Sequence, residues 1–153
     1  MDRHMIRKAR VGHVRAIQGL IEGSASKGEM LHRSLSEIYD YLRDFYIIQG
    51  NQSLLGTCAL HICWEDLAEV RSLTVLEEER RKGIGSALVK ACLREAKRLG
   101  IRKVFVLTYK PSFFGKFGFA IVDKASLPHK VWSDCLKCVK FPDCDEIAMI
   151  LPL

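Results

Sequence analysis

The sequence predicts an α/β fold with a mixed central sheet of about six to seven strands flanked by about four helices. Three observations predict it. Strand-like apolar runs and helically spaced apolar residues follow one another as strand, two helices, three strands, helix, strand, helix, strands. The stretch Ala68–Tyr109 reads strand, helix, strand, the pattern of a right-handed crossover between parallel strands. No internal repeat, low-complexity tract or Pro/Gly/Ser-rich linker divides the 153 residues, so residues 1–153 are expected to form a single domain.

Met5 to Ala9 form the first expected strand. His13 to Ile21 carry Val14, Ile17, Leu20 and Ile21 at helical spacing, and residues 23–28 read as a loop. Ser34-Leu35-Ser36-Glu37 has the form of a capping box, opening a helix to about Arg43 with Leu35, Ile38, Tyr39 and Leu42 on one face. Strands are expected at Phe45–Gln49, Leu54–Trp64 and Ala68–Val75, with Gly56 marking a bulge or packing relief. Gly83–Leu99 is the clearest helix. Its apolar face is Ile84, Ala87, Leu88, Ala91 and Leu99, and Gly100 closes it. Lys103–Tyr109 reads as a buried strand, Pro111 starts a short helix, and Phe119–Val122 and Ile147–Leu151 are further strands.

Apolar residues make up 48% and charged residues 27%, the balance of a soluble globular protein. The net charge of +6 suits an anionic partner, either nucleic acid or a phosphorylated cofactor. The basic residues are dispersed, with one tight cluster at Arg80-Arg81-Lys82, which argues against a nucleic-acid surface. No apolar run is long enough to span a bilayer, and residues 1–8 lack the apolar core of a secretory leader. The expected location is the cytoplasm, with no membrane partner. Of six cysteines, Cys58, Cys63 and Cys92 sit in apolar runs and read as small core residues.

The most informative stretch is Glu69–Ser86, which is strand, charged turn, Gly-x-Gly, helix. Glycines at the mouth of a helix let backbone N–H groups point outward together, and the helix dipole adds partial positive charge there. Arg80, Arg81 and Lys82 add full charges, and the whole suits a pyrophosphate. A dinucleotide-binding turn would need a third glycine where Leu88 stands. A nucleotide-triphosphate loop would need Lys-Ser/Thr after the second glycine, and Ser86-Ala87 follow instead.

Arg80-x-x-Gly83-x-Gly85 resembles the Gln/Arg-x-x-Gly-x-Gly/Ala pyrophosphate loop of the GNAT acetyltransferases. Ser112-Phe113-Phe114-Gly115-Lys116-Phe117-Gly118-Phe119 resembles that family's Phe-Tyr-x-x-x-Gly-Phe signature. The resemblance implies acetyl-CoA as cosubstrate, seated in a V between splayed parallel strands at Glu69–Val75 and Lys103–Thr108. It implies cofactor contacts from Leu73, Thr74, Val75, Arg80, Arg81, Lys82, Gly83, Ile84, Gly85, Ser86 and Phe114. Arg33-Ser34 before a helix, Cys58-Ala59-Leu60-His61, Val104–Thr108 and the tail Lys130–Glu146 are similar to the acetyltransferase domain of bacterial N-acetylglutamate synthases in their short, kinase-less form. That similarity implies an amino-acid substrate, L-glutamate or glutamine, and a place in arginine synthesis. The alternatives are a GNAT enzyme acting on a protein N-terminus, a polyamine or another small amine, or a non-catalytic acetyl-CoA-binding module. A homodimer is compatible with this reading.

An α-amine is mostly protonated at neutral pH, and a base must free it before it attacks the thioester. Glu69 falls where some GNAT members carry a catalytic glutamate; the alternative is a solvated strand-end carboxylate. A backbone N–H near Leu73 is the candidate oxyanion donor. Arg33 is the candidate partner of a substrate carboxylate, and Thr108 and Tyr109 are candidate pocket residues. Phe114 replaces the family tyrosine that protonates the leaving thiolate. His61 reads as a packed strand histidine and Trp132 as packing or pocket wall. Cys135, Cys138 and Cys144 are expected to be reduced cysteines in a tight loop, so no metal is expected; a zinc site completed by His129 is the alternative.

Overall fold

A computed structural model describes residues 5–128 and 145–153. Strand β1 (Ile6–Lys8) is followed by helices α1 (Val14–Ala25) and α2 (Leu35–Asp40), then strands β2 (Phe45–Gln49), β3 (Leu54–Trp64) and β4 (Leu67–Val75). Helix α3 (Ile84–Arg98), strand β5 (Lys103–Thr108), helix α4 (Pro111–Gly115) and strands β6 (Ala120–Val122) and β7 (Ile147–Pro152) complete the order. The strands form one seven-stranded sheet in the order β1-β2-β3-β4-β5-β7-β6. Pairs β1–β2, β2–β3, β5–β7 and β6–β7 are antiparallel and β4–β5 is parallel, so the sheet is mixed as expected. The parallel register runs over Leu67–Glu69 against Lys103–Phe105, although β4 continues to Val75 and β5 to Thr108.

The described residues form two compact units, 5–61 with 70–95, and 62–69 with 96–128 and 145–153. In the first, the inward faces of α1 and α2 supply Val14, Ile17, Leu20, Ile21 and Ile38, which pack with Phe45, Ile47, Leu54 and Ala59 of the strands. In the second, Phe105 is fully buried with Cys63, Leu67, Leu127 and Ala148. Each fully buried aliphatic or aromatic side chain contributes about 1.5–3 kcal/mol of transfer free energy, so these clusters dominate the stability of the units. Gly56 relieves packing: a Cβ there would lie 3.0 Å from Ile84 Cγ2 and 3.1 Å from Leu88 Cδ1. The irregularity in β2–β3 pairing falls instead at Ile48/Gln49. Cys58, Cys63 and Cys92 are buried thiols outside any disulfide, and the pKa of the Cys58 thiol is raised well above its usual value by its hydrogen bond with Cys92 and by burial.

Four local expectations are corrected. Helix α1 runs through Gly23 to Ala25, because Ser24 and Ala25 are buried and tertiary packing outweighs glycine's low helix propensity. Helix α2 stops at Asp40, and a 3-10 turn at Leu42–Asp44 brings the chain into the extended Phe45. Tyr39 is 45% exposed, one residue round the helix from the buried Ile38. Leu99 is 58% exposed, because α3 ends at Arg98 and Leu99 lies in the turn that Gly100 closes at φ +83°.

The capping box forms as predicted. Ser34 Oγ accepts from the Glu37 N–H at 3.1 Å, and Glu37 Oε1 accepts from the Ser34 N–H at 3.2 Å. Partial burial pushes the Glu37 carboxyl up, but the Ser34 N–H, the Arg33 guanidinium and the Ser34 hydroxyl outweigh it and hold it below the usual range. A carboxyl lowered by folding stabilises at pH values above its unfolded pKa, and that contribution is lost as pH falls through the folded value. Glu37→Gln is therefore expected to lower the melting temperature at pH 7, with the difference from wild type closing in strong acid. Calorimetric melts of both proteins across pH check this; a difference independent of pH would assign the effect to shape rather than charge.

Candidate active site

The turn after β4 is built from a 3-10 segment at Glu77–Glu79, then Arg80 to Gly83. Arg81 has φ +68° and Gly83 φ +82°, a left-handed backbone that turns the chain sharply into α3. A Cβ at Gly83 would meet nothing within 4 Å, so glycine is required there by backbone conformation and not by space. The Gly83 carbonyl accepts the Ala87 N–H at 3.0 Å, which is the first bond of the helix. The N–H groups of Ile84, Gly85 and Ser86 therefore have no intrahelical partner, and no side chain among the described residues accepts from them. This helix is 15 residues long, so its mouth carries a full dipole and outward donors, the chemistry of an anion seat.

The three cations of this loop are not equivalent. Arg80 is forked onto Glu29, with Nη2 to Oε2 at 2.9 Å and Nη1 to Oε1 at 3.4 Å. Lys82 reaches Glu79 at 3.0 Å. Among the described residues, Arg81 alone of the three has no carboxylate partner, and it is exposed. The Arg80–Glu29 fork ties the loop to the segment after α1, and Lys27 to Glu77 at 2.6 Å adds a second tie. Sequence reading missed Glu29, since nothing local marks it as a partner of Arg80.

Strand β4 carries the next candidates. Thr74 is 5% exposed and turned inward: its Oγ1 lies 2.5 Å from Ser24 Oγ and donates to the Leu20 carbonyl at 3.4 Å. Its side chain is thus taken up by α1, while Leu73 and Val75 on either side are half-buried. Ser72 has φ +58°, a conformation that costs a non-glycine residue about 1–3 kcal/mol. Glu69 is half-buried and sits opposite Phe105, at the last paired position of β4 with β5. Ile84 is 8% exposed, so its side chain belongs to the core and only its backbone faces the loop.

Arg33 lies just before α2, and its Nη1 pairs with Glu37 Oε2 at 3.2 Å. It lines a pocket with Glu37, Tyr41, Arg71 and Ser72, and the buried Ile38 and Phe45 give that pocket an apolar lining. Arg71 was missed from sequence, because a single cation on a strand reads as a solvated face. At the end of β5, Thr108 is buried and its Oγ1 accepts from the Lys110 N–H at 2.8 Å. The Tyr109 hydroxyl donates to Asp145 at 2.7 Å. Phe114 is 4% exposed and packs edge-on against Phe113 and Phe119, so its ring is core. His61 is a packed strand histidine as expected, with Nδ1 2.7 Å from Asp44 Oδ2. Cys135, Cys138, Cys144, His129 and Trp132 lie outside the described residues. Among the described residues, no group of three His, Cys, Asp or Glu side chains could hold a metal ion, and no helix is long and apolar enough to cross a membrane.

The sequence profile of the acetyltransferase (GNAT) family matches residues 21–119, a span that contains β4, the Arg80–Ser86 loop and α3. The chain belongs to this family. An uncharacterised N-acetyltransferase of Chlorobaculum tepidum is 41% identical over 97% of the chain and 96% of its own length. An amino-acid acetyltransferase of Mycobacterium tuberculosis is 31% identical over 86% of the chain and 77% of its own. A Mycobacterium tuberculosis protein solved in complex with CoA and NLQ superposes with a TM-score of 0.83 at 28% identity, covering 97% of this chain and 99% of that one. The GNAT protein described here is an acyltransferase, an N-acetyltransferase that takes its acetyl group from acetyl-CoA. The left-handed turn and the open helix mouth fit the anionic pyrophosphate of that cosubstrate.

Proposed function

We propose that the enzyme acetylates the α-amine of a free amino acid, L-glutamate or L-glutamine, and that the product serves arginine synthesis. The observation that carries this reading is the position of Arg33: its guanidinium lines a pocket beside Ser72, next to the residue assigned to the reacting carbonyl. The Mycobacterium tuberculosis relative is named an amino-acid acetyltransferase, and its name supports the same substrate class.

In this reading the mouth of α3 and Arg81 hold the pyrophosphate, while Leu73 and Val75 offer backbone groups to the pantetheine arm. Arg80, forked onto Glu29, shapes the loop, and Lys82 contributes charge. Glu69 acts as general base, directly or through water, and frees the amine lone pair. The amine nitrogen attacks the thioester carbonyl carbon, and the Leu73 N–H, which follows the left-handed Ser72, holds the oxyanion that forms. Collapse breaks the C–S bond and releases the thiolate of coenzyme A. A thiol of this kind has a pKa near that of cysteine, about 8.5, so its thiolate leaves without a dedicated acid. The buried phenyl ring of Phe114 has no proton to give, and the Tyr109 hydroxyl already donates to Asp145.

Thiol release from acetyl-CoA across a panel of amino acids and polyamines tests the substrate class. Arg33→Ala is expected to raise the amino-acid KM about tenfold or more, the worth of a charged hydrogen bond, with acetyl-CoA affinity unchanged. Glutamate and glutamine both inert while a polyamine turns over would overturn the reading.

A further inference from the structure

We propose that Glu29 is a positioning residue that couples the cofactor loop to the acceptor site. Its ion pair with Arg80 straps residues 26–33 to the pyrophosphate loop, so that cofactor bound at the loop fixes the place of Arg33 and tightens the hold on the amine acceptor. This rests on the reading of Arg33 as the partner of an amino-acid carboxylate.

The strap is seated from its first residues. Helix α1 ends at Ala25, and Ser24 just inside it is buried. The Ser24 hydroxyl pairs with the Thr74 hydroxyl of β4 at 2.5 Å. Its carbonyl accepts the Lys27 N–H at 3.2 Å and the Glu29 N–H at 3.1 Å. Gly28 makes the second of these possible, because its φ of +74° is a left-handed turn that brings the next residue back over the helix end. Glu29 is thereby delivered to Arg80, and both terminal nitrogens of Arg80 lie on its carboxylate, at 2.9 and 3.4 Å. Met30 then packs on the same hydrophobic cluster as Leu76, the residue after β4, and His32 Nδ1 lies 2.8 Å from Glu22 Oε2. Arg33 follows at the entry to α2, where it lines the pocket. All of these residues belong to the first compact unit.

Of the two ion pairs between strap and loop, the Arg80–Glu29 pair is the stronger link. Lys27 and Glu77 are both exposed, and an ion pair between exposed side chains contributes little in water. Arg80 and Glu29 are both half-buried, and a two-point contact of guanidinium with carboxylate fixes direction as well as distance. Arg80 therefore acts on the loop as a strut, and the charge offered to the pyrophosphate comes from Arg81 and the mouth of α3. A bound pyrophosphate fixes the loop backbone, and the strut carries that order to the strap. The acceptor carboxylate then meets an Arg33 that has already lost its freedom, so it binds at a smaller entropic cost. Linkage makes the effect reciprocal: the acceptor tightens cofactor binding by the same factor.

The test uses the full chain, with CoA in place of acetyl-CoA so that nothing turns over. Calorimetry measures the affinity for glutamate, or for glutamine where that is the acceptor turned over, with and without saturating CoA. The ratio of the two affinities is the coupling, and it does not depend on how tightly CoA itself binds. Wild type is expected to bind the acceptor about 5- to 150-fold tighter with CoA present. Glu29→Gln is expected to bring that ratio to within about twofold of unity, and Arg80→Gln, which cuts the same link from the other side, to do the same. The double variant Glu29→Arg with Arg80→Glu rebuilds the pair in reverse and is expected to recover the ratio. Thermal melts establish that each variant is folded, and Arg80→Gln carries the comparison if Glu29→Gln is not. An acceptor affinity lowered equally with and without CoA would leave Glu29 a merely structural role and overturn the coupling, as would a wild-type ratio of one. A wild type that turns over no amino acid would instead overturn the functional reading on which the coupling rests.

Discussion

Replacing Gly85 with phenylalanine is expected to raise the acetyl-CoA dissociation constant at least about 100-fold while the protein stays folded. Gly85 is in the first turn of α3, where the N–H groups of Ile84, Gly85 and Ser86 lack intrahelical acceptors. Each charge-assisted hydrogen bond to a pyrophosphate oxygen is worth about 1.5–3 kcal/mol, so blocking two of them accounts for that factor. Gly85→Ala separates binding from folding. Alanine is about 1 kcal/mol better than glycine inside a helix, so this variant should melt at the same temperature or higher while binding acetyl-CoA more weakly. Calorimetric titration with acetyl-CoA and a thermal melt on the same samples read the two effects apart. Affinity unchanged in Gly85→Phe would remove the loop from the cofactor site.

Glu69→Gln is expected to lower kcat by about 100-fold or more, the usual contribution of a positioned general base, with acetyl-CoA affinity unchanged. The substitution keeps size and hydrogen-bonding shape and removes only the ability to take a proton. In the wild type the rate should fall on the acid side as Glu69 becomes protonated, so the glutamine variant should show a flattened acid limb. Rate profiles against pH, at saturating and at limiting amino acid, check both points. A loss confined to KM, with kcat and the acid limb intact, would make Glu69 a residue that positions the substrate.

The loop was legible from the sequence because its chemistry is local. Gly83 and Gly85, the preceding strand and the following amphipathic helix lie within one short stretch, and the left-handed φ of Gly83 is what a glycine at that place permits. The capping box at Ser34–Glu37 was legible for the same reason: both partners sit on one turn. The path of the strands followed from apolar runs whose spacing reports which side is buried. Boundaries were less legible, as at Ala25 and Asp40, because burial against another element decides where a helix ends.

The sequence by itself determined the order of the elements, the glycine turn before α3 and a positive cluster beside it, since periodicity, backbone freedom and charge act over a few neighbouring residues. Only the tertiary structure decided which of those charges remain available. Arg80 is claimed by Glu29 from 51 positions away, and the Thr74 hydroxyl by Ser24 from 50. Arg71 and Arg33 line one pocket although 38 positions separate them, and Ser72 with its left-handed φ lines it too. Such pairings carry no periodic signal. They depend on where the fold brings two distant side chains, and a salt bridge or a shared pocket forms only where the backbone has already placed both groups within a few ångströms.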